Sequence, residues 1–148
     1  MDTGRLGLAE ARAVLRAQPF SVLLGAELTQ FDGGRAALSV ALRDDLRQQH
    51  GLAHGGVVSY LADNAITFAA GSVAGPAVLT SAMQINYLAG ARGDRLEAVA
   101  NVVDVSRRLV TVRCEVFDHR AGGPQLCAIA QGTVARLENA ARAATEET

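Results

Sequence analysis

The chain has 148 residues, of which 49% are hydrophobic, and a formal net charge of −1. This length predicts one domain with its own core, small enough that a second subunit could complete it. A nearly neutral chain has no basic field for nucleic acid or an anionic membrane, so we expect neither partner. The two cysteines stand apart in strand-like runs, and no signal peptide precedes the first amphipathic segment. We therefore expect a cytoplasmic protein without a metal site.

The start of the chain predicts one helix followed by two strands. Residues 6–17 carry apolar side chains at helical spacing, which predicts a short amphipathic helix within an N-terminal segment, 1–18. Pro19 is expected to end this helix. Residues 22–31 and 35–43 then have strand-like sequences, and the Asp-Gly-Gly run between them is typical of a hairpin turn.

A long, mostly apolar helix is predicted at residues 54–74, before a Gly-Pro pair that stops it. Apolar residues occur on nearly all of its sides, so protein should surround it. Its one charged side chain, Asp63, shares a face with Ser59 and Thr67. We expect Asp63 to have a function, because a carboxylate left alone in apolar surroundings is costly. A membrane span is the other interpretation of such a run, and the polar residues at its centre argue against it.

Four further strands are predicted after this helix. They lie at 78–88, 95–105, 109–118 and 125–136, with glycine-containing turns between them and a polar tail at 138–148. Strands on both sides of one buried helix predict an α+β fold, in which an antiparallel six-stranded sheet wraps around the long central helix. The sheet covers one side of the helix. A second subunit is the simplest cover for the other side.

Three stretches of the sequence resemble one known family. They are Pro19-Phe20 with Leu24-Gly25, Gln48-x-x-Gly51-x-x-His54-Gly55-Gly56, and Leu61-Ala62-Asp63-Asn64-Ala65. This pattern, which covers roughly residues 19–136, is similar to that of the hotdog-fold acyl-CoA thioesterases. It most resembles the PaaI-type group of phenylacetic acid degradation. It is also similar to the hydroxybenzoyl-CoA thioesterases that carry a glutamine before the HGG sequence.

The resemblance implies a hotdog domain at 19–137 that hydrolyses an acyl-CoA thioester to the free acid and coenzyme A. It implies neither a metal ion nor an organic cofactor, since coenzyme A is part of the substrate. It also implies a homo-oligomer, either a dimer or a dimer of dimers, whose active sites are shared between subunits.

Catalytic roles for five residues follow from the same resemblance. Gly55 is the oxyanion donor, because free N–H groups at a helix N-terminus stabilise developing negative charge. Asp63 is the catalytic carboxylate, either a general base acting on water or a nucleophile. Gln48 lies where related enzymes place Gln or Asn near the thioester or the water, and Thr67 matches a position that holds the water. His54 is expected to orient the turn rather than to act as a base.

Six further residues are expected to contact the substrate: Gly56, Thr80, Tyr60, Met83, Arg107 and Arg108. The first two belong near the reacting thioester. The next two are walls of an acyl pocket that also includes Leu52, Val57 and Phe68, a mixture that admits an aryl ring or a medium aliphatic chain. The two arginines are candidates for binding the phosphates of coenzyme A, and a solvated turn is the alternative interpretation.

The spacing of Gly55 and Asp63 limits how they can cooperate. Eight residues correspond to about 12 Å along one helix. An attacking group must come within a few ångströms of the carbon whose oxygen Gly55 holds. The two groups therefore cannot serve one thioester from the same chain. An antiparallel pair of these helices, related by a two-fold axis, would bring Asp63 of one subunit to Gly55 of the other.

Each assignment has a structural alternative. The glycine pair can serve close packing of the helix, and Asp63 can cap the partner helix. Ser59 and Thr67 can bond back to helix carbonyl groups. For the whole chain, a non-catalytic acyl-CoA-binding hotdog module is the main alternative. A hotdog dehydratase is a weaker one, because no histidine accompanies the carboxylate on the helix.

Overall fold

A computed structural model describes residues 5–137 of the chain. Its helices are α1 (Leu8–Arg16), α2 (Pro19–Leu24) and α3 (Gly55–Ala74), with a short 3-10 turn at Asp44–Leu46. Its strands are β1 (Glu27–Asp32), β2 (Arg35–Ala41), β3 (Val78–Tyr87), β4 (Arg95–Val105), β5 (Leu109–Arg120) and β6 (Gly123–Arg136). The predicted tail at 138–148 lies outside the described residues.

The six strands form one antiparallel sheet in the order β1-β2-β4-β5-β6-β3. Helix α3 packs against every strand of this sheet. The alternation in β5 shows why, since Val110, Val112, Cys114 and Val116 are all at most 1% exposed and face the helix. The predicted α+β fold, a sheet wrapped around a long helix, is therefore confirmed.

Helix α3 begins and ends where the sequence predicts. His54 caps its start, because its Nδ1 accepts a hydrogen bond of 2.8 Å from the backbone N–H of Gly56. Gly75 ends it with a φ of 87°, a conformation that glycine adopts without strain. The helix is long and apolar enough to cross a membrane by length and composition alone, yet 56% of its most apolar stretch is buried within the protein. It is the core helix of the sheet.

The prediction of a strand from residue 22 is wrong. Pro19 ends α1, but it also begins α2, where the missing N–H of proline costs nothing. Gly25, with a φ of 71°, ends this second helix, and β1 starts only at Glu27. Residues 22–24 are apolar, and a short apolar run does not distinguish a strand from a helix.

The first two helices cover part of α3 on the side away from the sheet. Ala11 and Leu15 of α1 belong to the same core as the residues beneath α3. Asn64 of α3 donates hydrogen bonds to Gln18 and to Ser21, which is on α2. The chain's own helices therefore supply part of the cover, and a second subunit stays the expected cover for the rest of this side. The face of α3 around Asp63 remains half exposed.

Candidate active site

The start of α3 presents one unpaired backbone donor. The N–H of His54 donates to the carbonyl of Leu46 at 2.9 Å, and the N–H of Gly56 is occupied by the His54 ring. The N–H of Gly55 has no acceptor within residues 5–137. The helix dipole places partial positive charge at this point. The His54 side chain thus caps the turn through a backbone hydrogen bond, and the donor left available is the one that the resemblance names.

A groove of about 350 Å³ opens beside this donor. Its lining includes Gln48, Leu52, Gly55, Tyr87 and Cys127. The Tyr87 hydroxyl donates to the carbonyl of Gly55 at 3.3 Å. A Cβ built on Gly55 would lie 3.6 Å from the Tyr87 ring, which is an ordinary contact. The fold itself therefore tolerates a methyl group at Gly55, and a ligand in the groove would be the first to meet it.

Gln48 is half-buried on the wall of this groove. Its Oε1 accepts a hydrogen bond from the backbone N–H of His50. Its amide nitrogen has no acceptor in the described part of the chain. Since that nitrogen can only donate, Gln48 is suited to orienting a carbonyl group or a water molecule and not to removing a proton.

The carboxylate of Asp63 is held at one oxygen. Thr80 of β3 donates to Asp63 Oδ1 at 2.6 Å, and Oδ2 has no hydrogen-bond partner among residues 5–137. Thr67 lies 2.8 Å from the Thr80 hydroxyl and 2.9 Å from the Asp63 carbonyl oxygen. The single hydroxyl proton of Thr80 is donated to the carboxylate. The Thr67 hydroxyl is therefore a donor, either to the Thr80 oxygen or to the Asp63 carbonyl oxygen. The structure thus brings Asp63, Thr67 and Thr80 together.

Gly55 and Asp63 lie at opposite ends of β3 within one chain. Gly55 contacts Tyr87, the last residue of the strand, whereas Asp63 bonds Thr80 near its beginning. The spacing along the helix predicts the same separation. The predicted catalytic residues therefore form two clusters in the single chain, which we call the glycine cluster (Gln48, His54, Gly55) and the carboxylate cluster (Asp63, Thr67, Thr80).

The remaining predicted contacts are dispersed. The Tyr60 hydroxyl donates to Ser21 at 2.6 Å and its ring meets Phe20 edge to face, so it serves the junction of α2 and α3. Met83 is half-buried on β3 beside β6. Neither side chain lines the groove.

The two predicted phosphate contacts occupy the exposed turn between β4 and β5. The carbonyl of Arg108 accepts from the N–H of Arg136, which pairs with Val78 at the start of β3. Nine steps of an extended strand separate Val78 from Tyr87, about 30 Å. Arg107 and Arg108 therefore lie far from Gly55 of their own chain and nearer to the carboxylate cluster. A contact with coenzyme A stays a prediction.

Asp118 is a buried residue of the site region that the sequence motifs do not indicate. This side chain is 0% exposed and accepts hydrogen bonds from the N–H groups of Arg92 and Gly93 at 2.9 Å and from Arg120 Nε at 2.6 Å. A Cβ on Gly93 would overlap the carbonyl oxygen of His119, so only glycine fits there. Alternate residues of β5 are buried, and Asp118 is the next buried position, two residues after Val116. This alternation is the sequence pattern that could have indicated a buried carboxylate at residue 118.

Asp118 fixes the loop that forms one wall of the groove. The N–H of Ala53, next to the glycine cluster, donates to the carbonyl of Ala91 at 2.9 Å. Arg120 donates to the carbonyl of Gly90 at 3.0 Å. The buried carboxylate thus anchors residues 90–93, and these in turn hold the segment that leads into α3.

Cys127, also on the groove, is an unreactive thiol. Burial, with the charge of Asp118 as a smaller cause, raises its pKa to about 11. It is therefore protonated at neutral pH and is a poor nucleophile. In the part of the chain that the structure describes, no three histidine, cysteine or carboxylate side chains are grouped so that they could hold a metal ion.

The comparisons with known proteins agree with this fold. The family model described as "Thioesterase superfamily" matches residues 50–123, half of the chain. The chain belongs to the thioesterase superfamily. The matched residues of this thioesterase run from the loop before α3 to the first residue of β6, and they include the whole of α3.

Solved structures and a curated relative support the assignment along most of the chain. A thioesterase family protein from Silicibacter pomeroyi is 32% identical, with a TM-score of 0.84, over 88% of this chain and 98% of that one. A variant of the phenylacetic acid degradation protein PaaI from Thermus thermophilus is 34% identical, with a TM-score of 0.73, over 81% and 100%. A relative from Deinococcus radiodurans, which carries an esterase name, is 31% identical over 82% of each chain. This protein is a thioester hydrolase with a PaaI-type hotdog fold.

Proposed function

We propose that this thioesterase hydrolyses an acyl-CoA to the free acid and coenzyme A. The observation that carries the proposal is the pair of features on α3. Its first residue, Gly55, has an N–H without an acceptor among the described residues. A half-exposed carboxylate, Asp63, follows two turns later with one oxygen fixed by Thr80. A thioester carbonyl and an attacking oxygen need these two kinds of group.

The Gly55 N–H would hold the thioester oxygen. As the carbonyl carbon becomes tetrahedral, negative charge builds on its oxygen, and a preorganised N–H at the positive end of a helix stabilises that charge. Gln48, on the same groove, supplies a second donor through its amide nitrogen. The absence of a side chain at Gly55 lets the thioester approach the backbone.

Asp63 would drive the attack. With Oδ1 fixed by Thr80, Oδ2 is the oxygen available to accept a proton from water or to attack the carbonyl carbon itself. In the first case the water oxygen bonds to the carbonyl carbon and the carbon–sulfur bond breaks. The proton taken by Asp63 then passes to the departing sulfur. In the second case the Asp63 oxygen bonds to the carbonyl carbon while the carbon–sulfur bond breaks, and the departing thiolate takes a proton from water. Hydrolysis of the mixed anhydride then frees the acid and restores Asp63, so the products are the same.

The two clusters would meet across a dimer. Strand β3 is an edge of the sheet, and its ten residues, VLTSAMQINY, include neither a charge nor a proline that would discourage pairing with another strand. The opposite edge, β1, carries Glu27 and Asp32 and is packed against by α1. A second copy of this chain is thus the natural partner of β3.

Antiparallel pairing of two copies of β3 about its middle has a direct consequence for the site. Such pairing places Tyr87 of one subunit opposite Val78 of the other. The glycine cluster adjoins Tyr87, and the carboxylate cluster adjoins Thr80, two residues from Val78. Each of the two sites would then combine the glycine cluster of one subunit with the carboxylate cluster of its partner, in a dimer or a dimer of dimers.

The test is hydrolysis of a panel of acyl-CoA thioesters, followed by release of the thiol. The wild-type protein is expected to release thiol, and Asp63→Asn, which is nearly isosteric, should lower kcat by orders of magnitude with little change in Tm. Activity of Asp63→Asn within about threefold of wild type would remove Asp63 from the reaction. Binding of acyl-CoA without any hydrolysis would instead support a non-catalytic acyl-CoA-binding module.

A further inference from the structure

A second cavity, of about 120 Å³, lies between α1, the C-terminal half of α3 and the start of β3. We call it the α1 cavity. Its walls are mostly apolar, with Val14 from α1, Phe31 from β1, Phe68 from α3 and Val78 from β3. Gly71 of α3 also lines it, and there the missing side chain leaves room. An apolar cavity of this size favours a hydrocarbon ligand.

The α1 cavity adjoins the carboxylate cluster at Thr67. Thr67 forms part of its wall, and the Thr67 hydroxyl is 2.8 Å from that of Thr80, which donates to Asp63 at 2.6 Å. Thr67 is one helical turn beyond Asp63, a rise of about 6 Å. An acyl group whose carbonyl carbon is at Asp63 can therefore run along α3, past Thr67, into the cavity.

We propose that the α1 cavity holds the distal end of a straight-chain acyl group, and that the preferred substrates carry about nine to ten carbons. This inference rests on the proposed function. An extended chain advances about 1.2 Å per bond, as in an extended polypeptide, so four to five bonds cover the ~6 Å from Asp63 to Thr67. A water molecule occupies about 30 Å³ in the liquid and a methylene group is of similar size, so 120 Å³ takes about four methylenes.

The same dimensions disfavour an aryl substrate. An aromatic ring joined to the carbonyl directly or through one methylene ends about 6 Å from the carbonyl carbon, level with Thr67, and leaves the cavity empty. A linear chain uses the cavity, whereas a ring attached close to the thioester does not.

Gly71 provides a variant that fills the cavity without disturbing the helix. A Cβ at this position would lie 3.9 Å from Val78 Cγ2, an ordinary contact, so larger side chains extend into the free space. Replacing glycine within a helix also removes its unfavourable helix propensity. Gly71→Val should therefore shorten the cavity in a folded protein. Gly122→Val is the matched control, because a Cβ there meets nothing within 4 Å.

The experiment measures kcat/KM for acetyl-, butyryl-, hexanoyl-, octanoyl-, decanoyl-, benzoyl- and phenylacetyl-CoA. For wild type we expect kcat/KM to rise about fourfold per methylene that enters the cavity and to be highest for decanoyl-CoA. Gly71→Val should lower kcat/KM for decanoyl-CoA at least tenfold while leaving butyryl-CoA within about twofold. Gly122→Val should keep the wild-type profile.

Two results would overturn the inference while leaving the proposed function in place. One is a wild-type preference for benzoyl- or phenylacetyl-CoA over every straight chain. The other is an unchanged chain-length profile in folded Gly71→Val. If Gly71→Val does not fold, the wild-type profile alone decides between linear and aryl substrates. If wild type hydrolyses no acyl-CoA at all, the proposed function fails and this inference falls with it.

Discussion

The hydrogen bond from Thr80 to Asp63 gives a sharp test of how the carboxylate works. Thr80→Val keeps the shape of the side chain and removes the donor that lies 2.6 Å from Asp63 Oδ1. A hydrogen bond to a charged group is worth about 1.5–3 kcal/mol. If this bond holds the carboxylate for attack, its loss should lower kcat about 10- to 150-fold, with a much smaller change in KM.

The assay is steady-state thiol release with the best acyl-CoA, together with a thermal melt of each variant. Ser81→Ala is the matched control, because the Ser81 hydroxyl belongs to the next residue of β3 and bonds Thr133 instead. It should retain wild-type kcat. A kcat for Thr80→Val within about threefold of wild type would refute the orienting role. An equal loss in Ser81→Ala would show that β3 as a whole, and not this bond, governs activity.

Three further predictions concern the groove and the core. Gln48→Ala should lower kcat/KM by the equivalent of about 1–3 kcal/mol of transition-state stabilisation, a smaller loss than that in Asp63→Asn. If folded Gln48→Ala lost more activity than Asp63→Asn, the roles assigned to the two residues would be reversed. Asp118→Ala should destabilise the fold by about 3–5 kcal/mol in urea unfolding, since it leaves buried donors without an acceptor; a loss below about 1 kcal/mol would contradict this. Burial, with nearby carboxylates as smaller causes, raises the pKa of Cys114 to about 12 and that of Cys127 to about 11, from 9.0. As pH rises, the thiols therefore ionise in the unfolded chain before they do so in the folded protein. Above pH 9 the free energy of unfolding should fall more steeply with pH for wild type than for the Cys114→Ala/Cys127→Ala variant. Equal slopes for the two proteins would show that the thiols contribute nothing.

The sequence predicts the central elements of this fold because their signals are strong and local. The long helix has one charge and glycines near both ends, and five of the six strands begin within two residues of their predicted starts. Helix α2 is not predicted from the sequence, because its six residues are too few to show a helical period. Its limits are set by Pro19 and by Gly25.

The candidate site is predictable in part for similar reasons. Gly55 and Asp63 follow from a motif on one helix, and the 12 Å between them follows from helix geometry. The pairing of Thr80 with Asp63 depends on how β3 packs beside α3, which no local pattern specifies. Asp118 lies on the buried face of β5, and its partners, Arg92 and Gly93, are 25 or more residues away in sequence. The α1 cavity depends on the packing of four separate elements.

The central claim is that each active site takes its glycine cluster from one subunit and its carboxylate cluster from the other. Two inactive variants test it: Asp63→Asn, and Gly55→Val, whose side chain would obstruct the thioester at the helix start. After unfolding and refolding together at equal ratio, half of the dimers should be mixed. Each mixed dimer has one doubly damaged site and one intact site, so the mixture should recover about one quarter of wild-type activity. If both clusters served one thioester from the same chain, every site would carry a lesion. A mixture as inactive as its parents, with mixed dimers confirmed by mass, would contradict the shared site.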